Sequence, residues 1–296
     1  QNPEFPAAIG IDGDSDGDAD GDSDGDNLYW TTPDAYGPPG PYGEALQKAL
    51  HFYDANMSGI GITGGRLEWR GNSEVGDYAV PLFCNGENPE HSNCVDMSEA
   101  YVNKYIHIFD PDGIGTINVG GGFHDCGDHV KFGLPQAYSA SMLAWAMYEF
   151  PESFIASGQA THAIDILRRF TSYFLRSTFR ERDGRVIAFC HQVGVGTIDH
   201  NFWGPPELQK AEDFPRPARF ATEETPGSDV TAAAAAALAV ASLVFRHDDE
   251  KWADKCLDTA RALYAFAVAY PGCANSGGFY PSEYEWDDLA WAAIWL

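Results

Sequence analysis

Basic residues are scarce in this 296-residue chain: 18 Lys and Arg stand against 44 Asp and Glu, for a formal charge of −26. No basic stripe is available to neutralise phosphates, which excludes nucleic acid as a partner. Long apolar runs are missing as well. A membrane span needs ~20 consecutive apolar residues, whereas the most apolar stretch, Ala232 to Phe245, is shorter, alanine-rich and interrupted by Ser242. It belongs in a protein interior. Six cysteines, none in a C-x-x-C pair, exclude both a disulfide-stapled miniprotein and a zinc ribbon. The polar stretch "CNGENPEHSNC" closes a short loop from Cys84 to Cys94, read as a disulfide formed in an oxidising compartment. The pairing of Cys126, Cys190, Cys256 and Cys273 stays open. Asn56-Met57-Ser58 is a glycosylation sequon, at a frequency no greater than chance in a chain of this length. The chain opens on Gln without a signal peptide, which fits a processed or incompletely represented secreted protein.

What is present is organised in two parts. In residues 12–27, Asp12, Asp14, Asp16, Asp18, Asp20, Asp22, Asp24 and Asp26 alternate with Gly, Ser and Ala. Such a tract has nothing to bury and repels itself. Its D-x-D-x-D-G spacing nevertheless supplies oxygen ligands of the kind that wrap Ca²⁺, so weak calcium binding is expected, with a bare solvated linker as the alternative. No frame completes an EF-hand: counting from Asp12 or Asp16, the twelfth position is Ser23 or Asn27 rather than Glu. A Pro- and Gly-rich stretch (31–44) follows. Residues 1–42 therefore read as an acidic tract and linker, a possible means of attachment or self-assembly, and 43–296 as one globular module.

Within that module six helical patterns are expected, at about 44–57, 135–150, 159–178, 228–246, 251–270 and from 285 onward. Ile164, Leu167, Phe170 and Phe174 show the three- and four-residue spacing of a helix with one buried face. Strand-like material is short, as in "GRVIAFCHQV" (184–193), and the loops at 58–134 and 180–227 are long enough to be functional. The last pattern, "DDLAWAAIWL", lacks a C-cap glycine and a polar tail. That favours a fragment of a longer protein, with Leu289, Trp291 and Trp295 left without partners.

The chemistry concentrates in "GGFHDCGDHVKFGLP" (121–135), where Asp125 and Asp128 stand three positions apart among glycines. As turn or cap residues they would need no further role. As catalysts, two carboxylates can hold one water against a glycosidic carbon, an inverting enzyme using one as the base, while Lys131 and the flanking His124 and His129 would keep that base ionised if close. The run "GGFHDCGDHVKFGLPQAYSASMLAWAMYE" resembles the signature of the family-nine glycoside hydrolases, the endoglucanase and cellulase family. The likeness continues in order through "ALQKALHFYDANMSG" with "WRGNS", "VGVGTIDHNFWGPPE", "PGSDVTAAAAAALAVASLVF" and "FYPSEYEWDDLAWAAIWL", together spanning 45–296.

The resemblance implies an all-α, six-hairpin (α/α)6 barrel, about half of it represented here, whose cleft cleaves β-1,4-glucan with inversion. It implies Asp128 as the base and Asp125 as its partner on the nucleophilic water. His200, Trp203, His129 and Tyr280 are implied as substrate-binding residues, aromatic faces suiting the C–H faces of sugars. A structural Ca²⁺ is implied at Ser282, Glu283, Asp287 and Asp288, although the spacing there departs by one residue from the usual, and the acidic pair would equally serve to cap the last helix. Three substitutions stand out: Phe123-His124 for Trp-Tyr, Cys126 for Ala between the aspartates, and Asn72 for Asp after "WRG". A Cys126 thiol, or a bridge to Cys190, would narrow the cleft. The family's acidic glutamate lies in a block not found in this sequence, so a non-catalytic carbohydrate-binding or structural protein on the same scaffold is the alternative reading.

Overall fold

The structure is a computed structural model that describes residues 40–296; the aspartate tract, with the Ca²⁺ ligation expected of it, lies outside the described residues. Helices α1 (Pro41–Ala55), α4 (Gly133–Glu149), α6 (Ala160–Arg176), α8 (Ser228–Phe245), α9 (Glu250–Ala269) and α10 (Trp286–Trp295) coincide with the six periodic stretches. Shorter helices, α2 (Glu99–Lys104), α3 (Ile106–Phe109), α5 (Pro151–Ala156) and α7 (Gly196–Asp199), lie between them.

Helix α8 organises the core. It has the length and hydropathy of a membrane span, yet 94% of it is buried inside the protein, packed against α4, α9 and α10. The run Ala232–Ala237 explains this: methyl side chains let three neighbours approach on different sides, and a helix apolar all round is stable only when so surrounded. Asp249 starts α9 by accepting the Trp252 N–H at 2.9 Å, an N-cap that sets the sharp return from α8. Helices α4 and α6 make a second pair on the same core, with Ile166, Leu167, Phe170 and Phe174 of α6 fully buried. This succession of packed helical pairs is the hairpin architecture anticipated for the barrel.

The long loops are not structureless. Strands β1 (Val80–Pro81) and β2 (Thr116–Ile117) pair with each other, while β5 (Val186–Val193) pairs antiparallel with β3 (Lys131–Phe132), β4 (Thr178–Arg180) and β6 (Ala218–Thr222). Every residue of β5 is buried. Its Ile187 and Ala188, with Phe220 of β6, join Leu82, Val95, Tyr101, Phe109 and Val119 in a second apolar cluster. Cys84 and Cys94 form the expected disulfide at the edge of that cluster, with Cα atoms 5.4 Å apart.

Two expectations are corrected. Cys126 is an exposed thiol and Cys190 a buried one, so no bridge joins them. Leu289, Trp291 and Trp295 are not left without partners: they pack partly buried against the main core, with Trp145 of α4 between the two tryptophans at 5.6 and 5.9 Å. The exposed large side chains of α10 are Trp286 and Ile294.

Candidate active site

The loop carrying the aspartates is fixed by its backbone. Gly122 (φ 77°) and Gly127 (φ 97°) occupy left-handed conformations. A Cβ on Gly122 would fall 2.8 Å from Gln136 Oε1 and as close to the Tyr173 ring, and that same Gln136 oxygen accepts the Phe123 N–H at 2.9 Å. The Asp125 N–H donates to the Val130 carbonyl at 2.9 Å, closing the turn between them.

Asp128 divides its two oxygens between two tasks. Oδ1 accepts the Val130 N–H at 2.9 Å, which is the turn role. Oδ2 lies 3.3 Å from His200 Nδ1, at the cleft. Neither aspartate caps α4, whose N-cap is Phe132 without a side-chain bond. Burial pushes the Asp128 carboxyl above its ordinary value, against the pull of the Val130 amide and His200, and the charges of Asp199 and Asp125 add to the rise. Asp125 Oδ2 accepts the Tyr280 hydroxyl at 2.6 Å. Burial and the Asp125 bond push that hydroxyl's pKa up, so it stays a donor. Tyr280 comes from the loop before α10 and is placed by the Phe132 ring, 5.3 Å away, on which Phe279 also stacks.

A cleft of about 380 Å³ opens over both carboxylates, lined among others by Asn56, His124, His129 and Trp203. Trp203 is 95% exposed, which decides between core residue and platform in favour of a free aromatic face. Asn56 lies on the cleft wall with its side-chain amide bonded to the Phe52 carbonyl, and Ser58 is fully buried, so the sequon does not present a free acceptor.

The expected electrostatic support is different from the observed one. Lys131 does not reach the aspartate pair: its ammonium is buried 2.8 Å from Asp77 Oδ2 and donates to the Val119 carbonyl at 2.6 Å. His124 and His129 are held neutral, burial depressing both. His129 Nδ1 meets Gln209 Oε1 at 2.5 Å, and the His129 backbone N–H donates to Asp199 Oδ1 at 2.7 Å. It is His200 that touches Asp128.

Behind the loop lies a buried charge cluster that no local spacing signals. Arg216 contacts Glu74 at 2.8 Å, Asp77 at 3.1 Å and Asp199 at 3.4 Å, and donates to the His129 carbonyl at 2.9 Å. Burial alone would raise Asp77, but Arg216 and Lys131 outweigh it and hold its carboxyl below the ordinary range. Burial pushes Glu74 up to about 7. Two cations and three carboxylates thus meet in one buried cluster, and through Arg216 and Asp199 it grips the backbone of His129, next to Asp128.

Around α10 the structure gathers part of the expected calcium set. Ser282 hydrogen-bonds to Asp229, whose Oδ1 also accepts the Ala274 N–H at 2.9 Å. Burial, Asp287 and Asp229 push Asp288 up to about 7. Asp229, at the start of α8, was missed in the sequence; its place in "PGSDVT" just before an apolar helix is the signal that was available. Glu283 is exposed. Asp287 and Asp288 sit inside the first turn of α10 without a capping bond, which corrects the capping alternative. The groups acting on Asp288 after burial are both negative, so an all-oxygen donor set with unbalanced charge fits a hard divalent cation.

Comparison with known proteins agrees with the geometry. Residues 42–296 match the family described as Glycosyl hydrolase family 9. The chain is 36% identical over 261 residues to Endoglucanase 4 of Bacillus sp. (strain KSM-522), covering 86% of this chain and 34% of that protein. Among solved structures it is similar to the catalytic domain of Clostridium thermocellum CelT, with 46% identity, a TM-score of 0.79 and coverage of 86% of this chain and 51% of the other. It is also similar to the cellulase Cel9M of C. cellulolyticum in complex with cellobiose, with 35% identity, a TM-score of 0.66 and coverage of 87% and 50%. The chain therefore spans about a third of that curated relative and about half of those solved structures.

Proposed function

The chain belongs to glycosyl hydrolase family 9, and on that premise we propose that it is a secreted, inverting endo-β-1,4-glucanase in which Asp128 activates the attacking water. The observation that carries this reading is the pair itself. Asp128 presents one oxygen to the cleft beside His200, and Asp125, fixed by Tyr280, presents its carboxylate to the same space. Water held between them attacks the anomeric carbon, Asp128 takes its proton, and the bond to the leaving oxygen breaks on the opposite face. That oxygen needs a proton from an acid across the bond, a role filled by no carboxylate lining the described cleft, so the described residues supply the water-activating half. Trp203 offers the ring face on which a glucosyl unit stacks. The Cys84–Cys94 disulfide supports an oxidising, extracellular setting. The test is a reducing-end assay of the native protein on a soluble β-1,4-glucan and on cello-oligosaccharides: release of new ends from internal bonds is expected, and saturable binding with no release would overturn the reading.

Tyr280→Phe removes the 2.6 Å bond to Asp125 while keeping the ring against Phe132. A bond to a charged acceptor contributes about 1.5–3 kcal/mol, so kcat should fall about ten- to a hundredfold with KM little changed. An unchanged kcat would show that Tyr280 only packs. The second proposal is that Asp229, Ser282, Asp287 and Asp288 hold a structural Ca²⁺, which neutralises charge where α8 meets α10. Chelation should lower the melting temperature of the native protein by several degrees, and by less in Asp288→Asn; identical melting with and without chelator would count against it.

A further inference from the structure

On the face of α1 that meets α6, a group of side chains has no part in the cleft chemistry. His51 and Asp54 stand three residues apart on α1 and therefore on one side of it. His162, in the first turn of α6, faces them. Its Nε2 is 2.7 Å from Asp54 Oδ2, its ring centroid is 5.3 Å from that of His51, and one ligand atom from each of the three residues lies within 4.8 Å of the other two. We propose that His51, Asp54 and His162 bind a divalent transition-metal ion of the zinc class, which clamps α1 to α6.

The donor set chooses the class of ion. Two imidazoles and one carboxylate suit zinc and its neighbours, whereas calcium and magnesium take oxygen. Zinc bonds to nitrogen and oxygen are about 2.0–2.2 Å, so ligand atoms on one ion stand ~3–4 Å apart. The three ligand atoms, all within 4.8 Å of one another, already stand near those separations. The second oxygen of Asp54 is already oriented: Oδ1 lies 3.9 Å from Arg66 Nη1, and Arg66 also bonds Asp165. The ion would take Oδ2 in exchange for its present contact with His162 Nε2, with Arg66 as the outer partner that aims the carboxylate. Asp54 and His162 are buried while His51 is half-buried, and a cavity of about 200 Å³ lined by Asp54, Arg66, Asp165 and Arg169 opens beside the Asp54 carboxylate. A plain Asp54–His162 hydrogen bond would account for two members of the group but not for His51, whose ring lies against that of His162 and makes no hydrogen bond among the described residues.

The experiment uses the full chain, stripped with chelator and held in excess Ca²⁺ so that oxygen-only sites are filled. Zn²⁺ is titrated calorimetrically, and Co²⁺ is added as a visible-absorption probe of imidazole ligation. One zinc-class site is expected, with Co²⁺ bands that Zn²⁺ displaces. His51→Ala should weaken binding by about tenfold or more and remove the bands, while leaving the metal-free melting temperature unchanged because His51 makes no hydrogen bond among the described residues. His162→Gln should weaken it at least as much. No binding by the parent chain, or an affinity and Co²⁺ spectrum unchanged in His51→Ala, overturns the proposal. Neither outcome depends on glucan hydrolysis.

Discussion

Asp128→Asn is expected to lower kcat on a soluble β-1,4-glucan by about 10³-fold, within the range that general-base catalysis supplies, with a normal circular dichroism spectrum. Asparagine keeps an acceptor for the Val130 N–H, so the turn survives, but it cannot take a proton from water. Stability should hold or rise, since burial already pushes the native carboxyl above its ordinary value and an ionised group there costs folding energy. Function and stability are opposed at this residue. The same raised pKa gives a sign for pH dependence. The base works only when ionised, so kcat/KM should climb as pH rises through the Asp128 pKa, and the acid limb should lie above that of an ordinary aspartate. Retention of more than a tenth of the parent rate in Asp128→Asn would remove Asp128 from the mechanism. An acid limb at ordinary aspartate pH would remove the burial argument.

Arg216→Met should cost about 3–5 kcal/mol of stability, measured by denaturant unfolding, because it leaves buried carboxylates with only Lys131 to balance them. Glu74, Asp77 and Asp199 all lie within 3.4 Å of the lost guanidinium. The sign with pH follows from protonation. Without the cation these carboxyls bind protons more tightly when folded than when unfolded, so the penalty should be largest near pH 8 and shrink toward pH 5. The parent protein should show a weaker form of the same trend: Glu74, raised to about 7 when folded, contributes stability that is present below its unfolded value of 4.5 and is lost as pH rises toward 7. A loss under 1 kcal/mol, or one independent of pH, would mean that the cluster is solvated rather than buried.

Much of this arrangement was legible in the sequence, for reasons that differ from part to part. The long helices were visible because one face of α6, and all faces of α8, carry a 3.6-residue or continuous apolar pattern that only burial explains. The aspartates were visible because glycines at strained positions flank them. The Cys84–Cys94 loop was visible because a short polar stretch, ten positions from one cysteine to the other, joins them. What escaped were relations between distant residues. Arg216 finds Asp77 across 139 positions, and Tyr280 finds Asp125 across 155; no local spacing encodes either. The sheet around β5 escaped because its partner strands are two to five residues long and pair far along the chain, which left them looking like loop. Trp203 was ambiguous until its exposure was known, since an aromatic beside Phe202 and Gly204 serves a core as well as a cleft.

The measurement that bears most directly on the central claim is the anomeric configuration of the first product, read by proton NMR within minutes of mixing the native protein with a soluble β-1,4-linked cello-oligosaccharide. Water delivered by Asp128 from the face opposite the leaving oxygen gives the α-anomer first, with the β form appearing only as mutarotation proceeds. A β-anomer at the earliest times would contradict the account, because it requires a covalent intermediate on a carboxylate proposed instead to hold water.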